Sequence, residues 1–178
     1  MVQTSATVCE AGSSRGSQEA APDTDSFRQA MARLASGVAI ASCWEGVTPR
    51  GLLVSSITTL STEPPRVLFC VRKASASHNA LLRATRCGLA VLAEHDQEEA
   101  ERFSQADRAA GRFDPRRWAL DAQAPPRYRT PLIGLDGAIG HRIDAGTHTI
   151  FVLNIRRAHA SEDRPLLYFD RGFRRLAD

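Results

Sequence analysis

The sequence predicts a mainly β protein, in which an antiparallel barrel carries a few helices on its outside. Segments with strand character outnumber segments with helical periodicity, and most connections between them are shorter than the dozen or so residues that a parallel crossover needs. Closure into a barrel removes the exposed edges of an antiparallel sheet. The 178 residues, 43% of them hydrophobic, suit one domain, which we expect over residues 23–178.

The first ordered element is predicted to be a helix that follows residues 1–22, a polar stretch that we expect to form a disordered tail. This stretch has neither the basic head nor the apolar centre of a signal peptide. Asp23 is an N-cap candidate, Phe27 and Met31 stand on one helical face, and Ser36-Gly37 is expected to end the helix.

Strands account for most of the remaining chain, and the first two form a hairpin through a turn at Glu45-Gly46. The predicted strands are residues 38–44, 51–60, 66–71, 88–93, 132–143, 149–158 and 166–169. Short helices are predicted at residues 80–85 and 96–103.

Residues 106–130 are charged and interrupted by prolines, which is typical of a surface excursion. Phe113, Trp118 and Tyr128 stand among its arginines. Three interpretations stay open for this segment: a solvated loop, a cover over an active site, and a contact between subunits.

Charge and cysteine content exclude several classes of protein. The net charge of +3 is scattered along the chain, which argues against nucleic-acid binding. No apolar run approaches the roughly 20 residues that a membrane helix needs. The four cysteines, Cys9, Cys43, Cys70 and Cys87, form no C-x-x-C pair, so we interpret them as reduced thiols of a cytoplasmic protein, and we predict no metal site.

Three segments carry polar groups where a ligand could meet them. The segment Gly146-Thr147-His148-Thr149 places an imidazole at the start of a buried strand, and residues 51–61 end in a run of hydroxyls. The loop from Arg72 to His78 places cations and hydroxyls before a helix N-terminus, where a phosphate would be stabilised. Each segment also has an ordinary structural interpretation: a hydrogen-bonding histidine, a solvent-facing stripe and a capped loop.

Nine motifs follow one another along the chain. They are Phe27-Arg28-Gln29-Ala30-Met31, Ser36-Gly37-Val38-Ala39-Ile40, Arg50-Gly51-Leu52-Leu53-Val54-Ser55-Ser56, Pro64-Pro65, Ser75-Ala76-Ser77-His78, Asp96-Gln97, Arg102-Phe103, Gly146-Thr147-His148-Thr149 and Pro165-Leu166-Leu167-Tyr168-Phe169. In order and spacing, over residues 26–176, the chain resembles the short-chain flavin reductases, the small components of two-component flavin-dependent monooxygenases.

The resemblance implies a split β-barrel of the flavin-reductase-like, FMN-binding type, usually a homodimer. It further implies a protein that oxidises NADH or NADPH and hands reduced FMN or FAD to a separate oxygenase. Three sets of positions would bind the flavin: a strand with Leu53, Val54, Ser55 and Ser56, a phosphate loop with Cys70, Val71, Arg72, Lys73, Ser75, Ser77 and His78, and a helix with Arg102 and Phe103. Gly146, Thr147 and His148 would border the nicotinamide pocket, with His148 as the catalytic candidate.

Two positions depart from the family pattern. Leu53 stands where the family usually carries Thr, which removes a hydroxyl, and Thr147 stands where it usually carries Asp, which removes a carboxylate beside His148. Because split barrels also serve as binding domains, a non-catalytic flavin- or haem-binding module is the alternative interpretation. The choices between FMN and FAD and between NADH and NADPH stay open.

Overall fold

Strands dominate the part of the chain that the structure, a computed structural model, describes: residues 23–105 and 108–177. In chain order the elements are α1 (Thr24–Ala32), β1 (Ser36–Gly37), β2 (Ala39–Glu45), β3 (Thr48–Val54), β4 (Thr58–Thr62), β5 (Pro65–Arg72), α2 (His78–Arg83), β6 (Arg86–Val91), α3 (Gln97–Ser104), β7 (Trp118–Ala119), β8 (Arg127–Tyr128), β9 (Ile133–Ala145), β10 (His148–Ala160), β11 (Leu167–Phe169) and β12 (Gly172–Arg174). The predicted mainly β class is confirmed. The expected tail, with Cys9, lies outside the described residues.

Seven antiparallel strands form one sheet in which two neighbours in sequence stand at opposite edges. The order is β3-β2-β6-β9-β10-β5-β4, so β3 and β4 are the edges, although only residues 55–57 separate them. Such a link spans at most about 14 Å when fully extended. The sheet must therefore curl until its edges approach each other.

The edges approach without pairing, so the barrel is split rather than closed as the strand pattern predicted. No ladder joins β3 to β4 among the described strands. β4 covers the edge of β5 only from Pro65 to Leu68, which leaves the last residues of β5 facing the end of β3 across a gap. We term this gap, crossed by residues 55–57, the seam.

Two predicted elements differ from the structure: one strand at the seam and the end of the first helix. The strand expected over residues 51–60 is two strands, because the chain leaves one edge of the sheet at Val54 and joins the other at Thr58. The first helix already ends at Ala32, and Ser36-Gly37 pairs with β11 instead of ending that helix. Phe27 and Met31 of α1 remain exposed.

Alternate residues of β2 face two different hydrophobic cores. Ala39 and Ala41 face the barrel interior, where the rings of Phe69 and Phe151 stack with centroids 5.4 Å apart. Ile40 faces a second core on the outside of the sheet. Because both faces of the sheet are buried here, the sequences of its central strands are nearly continuous runs of apolar residues.

The segment interpreted as a surface excursion builds much of this second core. Phe113, Trp118 and Tyr128 are buried there, and their rings contact one another with centroid distances of 4.8 and 5.4 Å. The interpretation as a solvated loop is therefore wrong for these three residues. The alternation of charged residues with isolated aromatics concealed the core, because it has neither strand nor helix periodicity.

Short helices complete the described chain. None of them, in residues 23–105 and 108–177, is long and apolar enough to cross a membrane.

Cys43 and Cys87 are buried free thiols in the barrel, and burial raises the pKa of Cys43 to about 11.

Candidate functional site

A groove of about 310 Å³ follows the seam and brings together three of the predicted segments. It is lined by Leu52, Leu53, Val54, Ser55, Ser56, Cys70, Val71, Arg72 and His148. The end of β3 supplies one wall, the end of β5 the other, and the start of β10 closes one end. Because β5 and β10 pair in a register that sets Arg72 opposite His148, two residues distant in sequence meet at the same end of the sheet.

A serine side chain bridges the seam where the backbone ladder is interrupted. The amide of Cys70 donates to Ser56 Oγ at 3.0 Å, and the same hydroxyl donates to the carbonyl of Cys70 at 3.1 Å. These two bonds fix the distance between the groove walls. The hydroxyl of Ser56 is therefore engaged by the protein, although the sequence assigned it to the ligand.

Hydrogen-bond donors remain available on the segment that crosses the seam. Within the described chain, the amides of Ser55, Ser56 and Ile57 donate to no backbone carbonyl. The side chain of Ser55 is exposed at the groove. A planar ligand with carbonyl oxygens at its edge could be held by these groups.

The β9–β10 hairpin presents His148 at the lip of the groove, as the sequence predicts. Gly146 takes a φ of +68° in the turn, and His148 Nδ1 lies 2.9 Å from Thr147 Oγ1. Lys73 ties the turn to β5, since its amide donates to the Thr147 carbonyl at 3.0 Å and its Nζ donates to Asp144 at 2.7 Å. The hydrogen bond from Lys73 also lowers the pKa of Asp144.

Two residues of the predicted phosphate loop serve the barrel instead. Ser77 Oγ donates to the Gly51 carbonyl at 2.9 Å, and His78 Nε2 lies 2.9 Å from Thr149 Oγ1; both residues are buried. They hold α2 against the sheet. Ser75 is half-buried, and Arg72 is the exposed cation of the loop with no ion pair among the described residues.

Arg102 and Phe103 lie apart from the groove. Phe103 is buried in the second core, 5.1 Å from the ring of Phe113, and Arg102 pairs with Glu98 and Glu99 on its own helix. Neither side chain lines the groove. Their geometry is that of core and surface residues of α3, and it lends no support to the predicted flavin contact.

The sequence missed a second groove, of about 320 Å³, on the other side of residues 53–55. The side chains that line it beyond that shared wall are Ser104, Tyr168, Arg171 and Phe173. The rings of Tyr168 and Phe173 contact each other at 5.7 Å across a turn in which Asp170 and Arg171 have positive φ angles of 48° and 59°. The sequence signal that could have predicted this groove is the pair of aromatic residues on either side of the Asp-Arg-Gly turn.

Comparisons with known proteins show which family the chain belongs to. Residues 31–177 match the family model described as flavin reductase like domain. An NADH:FMN oxidoreductase of Rhodococcus qingshengii is 34% identical over 151 residues, which cover 81% of this chain and 77% of the relative. An NADH-dependent FAD reductase of Streptomyces globisporus is 32% identical over 136 residues, covering 74% and 75%.

Among solved structures, BorF, the flavin reductase component of a bacterial two-component tryptophan halogenase, superposes with a TM-score of 0.79 at 31% identity. The superposition covers 88% of this chain and 99% of BorF. The family match and the similarity to relatives in sequence and in structure lead to one assignment: the chain belongs to the flavin reductase-like family.

Proposed function

We propose that this protein is an NADH-dependent flavin reductase, which reduces FMN or FAD and passes the reduced flavin to a separate oxygenase. The observation that carries the proposal is the seam groove, an open cleft in a chain of this family with an apolar wall and with amides and an arginine that have no partner among the described residues. The cofactors are proposed from the relatives, since one is an NADH:FMN oxidoreductase and another is an NADH-dependent FAD reductase.

The residues of the groove fit a flavin. Leu53, which is half-buried, offers apolar surface to a flat ring system, and the free amides of residues 55–57 suit the carbonyl oxygens at a polar ring edge. Arg72 stands exposed at the end of β5, where its guanidinium can meet a phosphate. Leu53 contributes contact area here and no hydroxyl.

When bound, flavin and NADH supply the chemistry themselves, the transfer of a hydride from one ring to the other. The protein's task is to hold the two rings in contact and to exclude water. His148, exposed at the lip and held by Thr147, is the side chain that borders the nicotinamide in this proposal. Its ring positions the dinucleotide, because hydride transfer requires no proton from the protein.

The second groove shares its wall with the first, which suits a protein that must accept two cofactors together. In our proposal the flavin is a substrate that leaves after reduction, so its groove should be open, and both grooves are open to solvent. We further propose that the domain of residues 23–178 acts as a homodimer in the cytoplasm. The exposed apolar residues Phe27, Met31 and Ile143 support self-association.

The test is the absorbance of NADH at about 340 nm while FMN, FAD or riboflavin is titrated into the purified protein. Saturable oxidation that depends on added flavin is the expected result, and NADPH in place of NADH measures the nicotinamide preference. Flavin binding without oxidation would overturn the proposal in favour of a binding module. Adding a cognate oxygenase then asks whether reduced flavin reaches it.

A further inference from the structure

A third cavity, of about 170 Å³, holds a buried carboxylate and lies away from the seam. It is enclosed between the outer face of the sheet, at Ser42 and Gly88, and the chain around Pro126 and Pro131. Asp136 of β9 lines this cavity with 2% of its surface exposed. Within the described residues, neither of its carboxylate oxygens has a hydrogen-bond partner.

Two arginines form ion pairs with this carboxylate but donate no hydrogen bond to it. The nearest guanidinium nitrogens belong to Arg86 and Arg127, at 3.6 and 3.9 Å from the Asp136 oxygens, which is too far for hydrogen bonds. Arg157 and His159 also line the cavity. Because buried polar groups in native proteins are nearly always hydrogen-bonded, the lone pairs of Asp136 call for a donor that these side chains do not provide.

The cavity is separate from the proposed flavin groove. Asp136 pairs with Arg157 on β10, whereas the groove residue His148 begins that strand. Nine residues of strand span roughly 30 Å of chain. The two sites also share no lining residue, so occupancy of one leaves the other accessible.

The volume of the cavity and the chemistry of its walls determine which ligand it can hold. An apolar protein cavity of roughly 150 Å³ accepts benzene, so the space at Asp136 holds a single six-membered ring. Leu89, Pro126 and Pro131 make apolar walls, and Gly88 contributes no side chain: a Cβ there would lie 2.9 Å from the Pro126 carbonyl oxygen. The ring must carry a hydrogen-bond donor for Asp136, and an acceptor beside that donor can meet Arg127, which also lines the cavity.

We propose that this cavity is a binding site for a small planar lactam. The ring N–H donates to the carboxylate of Asp136, and the adjacent carbonyl oxygen accepts from the guanidinium of Arg127. Such a ligand supplies the donor that Asp136 lacks and an acceptor for Arg127, whereas a hydrocarbon ring supplies neither and a simple anion supplies no donor. A flavin, with three fused rings and a ribityl chain, is too large for this space.

The direct test compares 2-pyridone with N-methyl-2-pyridone by titration calorimetry, on the full chain saturated with FMN so that the seam groove is filled. The methyl group removes the only N–H donor, so binding of the methylated ring is expected to be weaker by about tenfold or more. Equal affinities, or binding of 2-pyridone that FMN abolishes, would overturn the proposal. A crystal structure with 2-pyridone should place its nitrogen on Asp136; ordered water alone at that carboxylate would also overturn it.

The matched variants are Asp136→Asn, which removes the charged acceptor, and Glu162→Gln, which removes the same charge from an exposed position. Asp136→Asn should lose most of the affinity for 2-pyridone and Glu162→Gln should keep it. Wild-type affinity in Asp136→Asn would contradict the proposal. Should Asp136→Asn fail to fold, the comparison of the two ligands on the unaltered protein still decides.

Discussion

The seam groove and the second core both contain polar side chains, but these side chains are in opposite states in the two regions. In the second core, polar groups are paired internally: Trp118 Nε1 donates to Glu99 at 2.8 Å, and Tyr128 donates its hydroxyl to Asp96 at 2.7 Å. In the groove, Ser55 and Arg72 remain exposed. Internal pairing produces rigidity, and free polar groups produce capacity for a ligand. Variants of the two regions should therefore fail in different ways.

Carboxylates buried at the second core illustrate the first behaviour. Asp96 accepts from the amide of Ala93 as well as from Tyr128, and Glu99 also pairs with Arg117 at 2.9 Å. Burial, followed by the hydrogen bond to Asp96, raises the pKa of Tyr128 well above its usual range. The tyrosine therefore stays a neutral donor at every pH at which the enzyme would work.

The largest expected effect is that of Trp118→Ala. The change opens a cavity among three aromatic rings and removes the hydrogen bond that Trp118 donates to Glu99, so the free energy of unfolding should fall by about 3–5 kcal/mol. Urea denaturation measures this loss. The control is Phe27→Ala, at a residue that is 56% exposed, and it should leave the midpoint nearly unchanged. Equal midpoints for both variants would refute the central role of the second core.

The next effect belongs to the groove. His148→Ala should lower kcat/KM for NADH by about 10- to 100-fold, equivalent to about 1.4–2.8 kcal/mol, while the unfolding midpoint stays that of the wild type. His141→Ala is the matched control, because His141 is an exposed histidine of the adjacent strand that does not line the groove. Wild-type kinetics in His148→Ala would show that the histidine has no part in turnover.

A smaller effect is expected at Ser56, which stabilises the groove and also lines it. Ser56→Ala removes both hydrogen bonds that bridge the seam, each worth about 0.5 kcal/mol between such exposed groups, and should weaken flavin binding several-fold while lowering the free energy of unfolding by about 1 kcal/mol. Flavin fluorescence quenching measures the affinity. Ser161→Ala, an exposed serine outside the groove, is the control. An unchanged affinity would mean that the groove keeps its width without this bridge.

The sequence predicted the strands better than it predicted the seam. The apolar runs of β5 and β10 have one physical solution, burial in a sheet, and both were found close to their bounds. The break at residues 55–57 has no local signal, because its serines continue the hydroxyl-rich pattern of the strand. Its cause is topological: two edges of one sheet must be joined by a short link.

Residue type alone also failed to distinguish the residues that line the groove from those that stabilise the fold. His78 and His148 were both assigned to cofactor binding, but His78 lies on the buried face of α2 against Thr149, and His148 lies at a strand start opposite Arg72. Arg102 and Phe103 were assigned to the flavin by their motif and lie at the second core. Strand register and helix orientation, which depend on the whole fold, decide such cases.

The smallest expected effect tests how firmly the hairpin that carries His148 is held. Asp144→Asn removes the ion pair with Lys73, an exposed pair of the kind that contributes little, so KM for NADH should rise by only about twofold. Asp121→Asn, at an exposed turn outside both grooves, is the control. High salt should erase the difference from the wild type, because it screens exposed charges.

The pH dependence of this pair follows from the direction of the shift. The folded protein lowers the pKa of Asp144 below its ordinary value of 3.8, so the tie is fully formed above that value and is lost as the pH falls through the lowered pKa. The carboxyl is ionised throughout the range from about pH 6 to pH 8, so the KM ratio of variant to wild type should be constant there. A ratio that changes across this range would show that a group other than Asp144 controls the difference between variant and wild type.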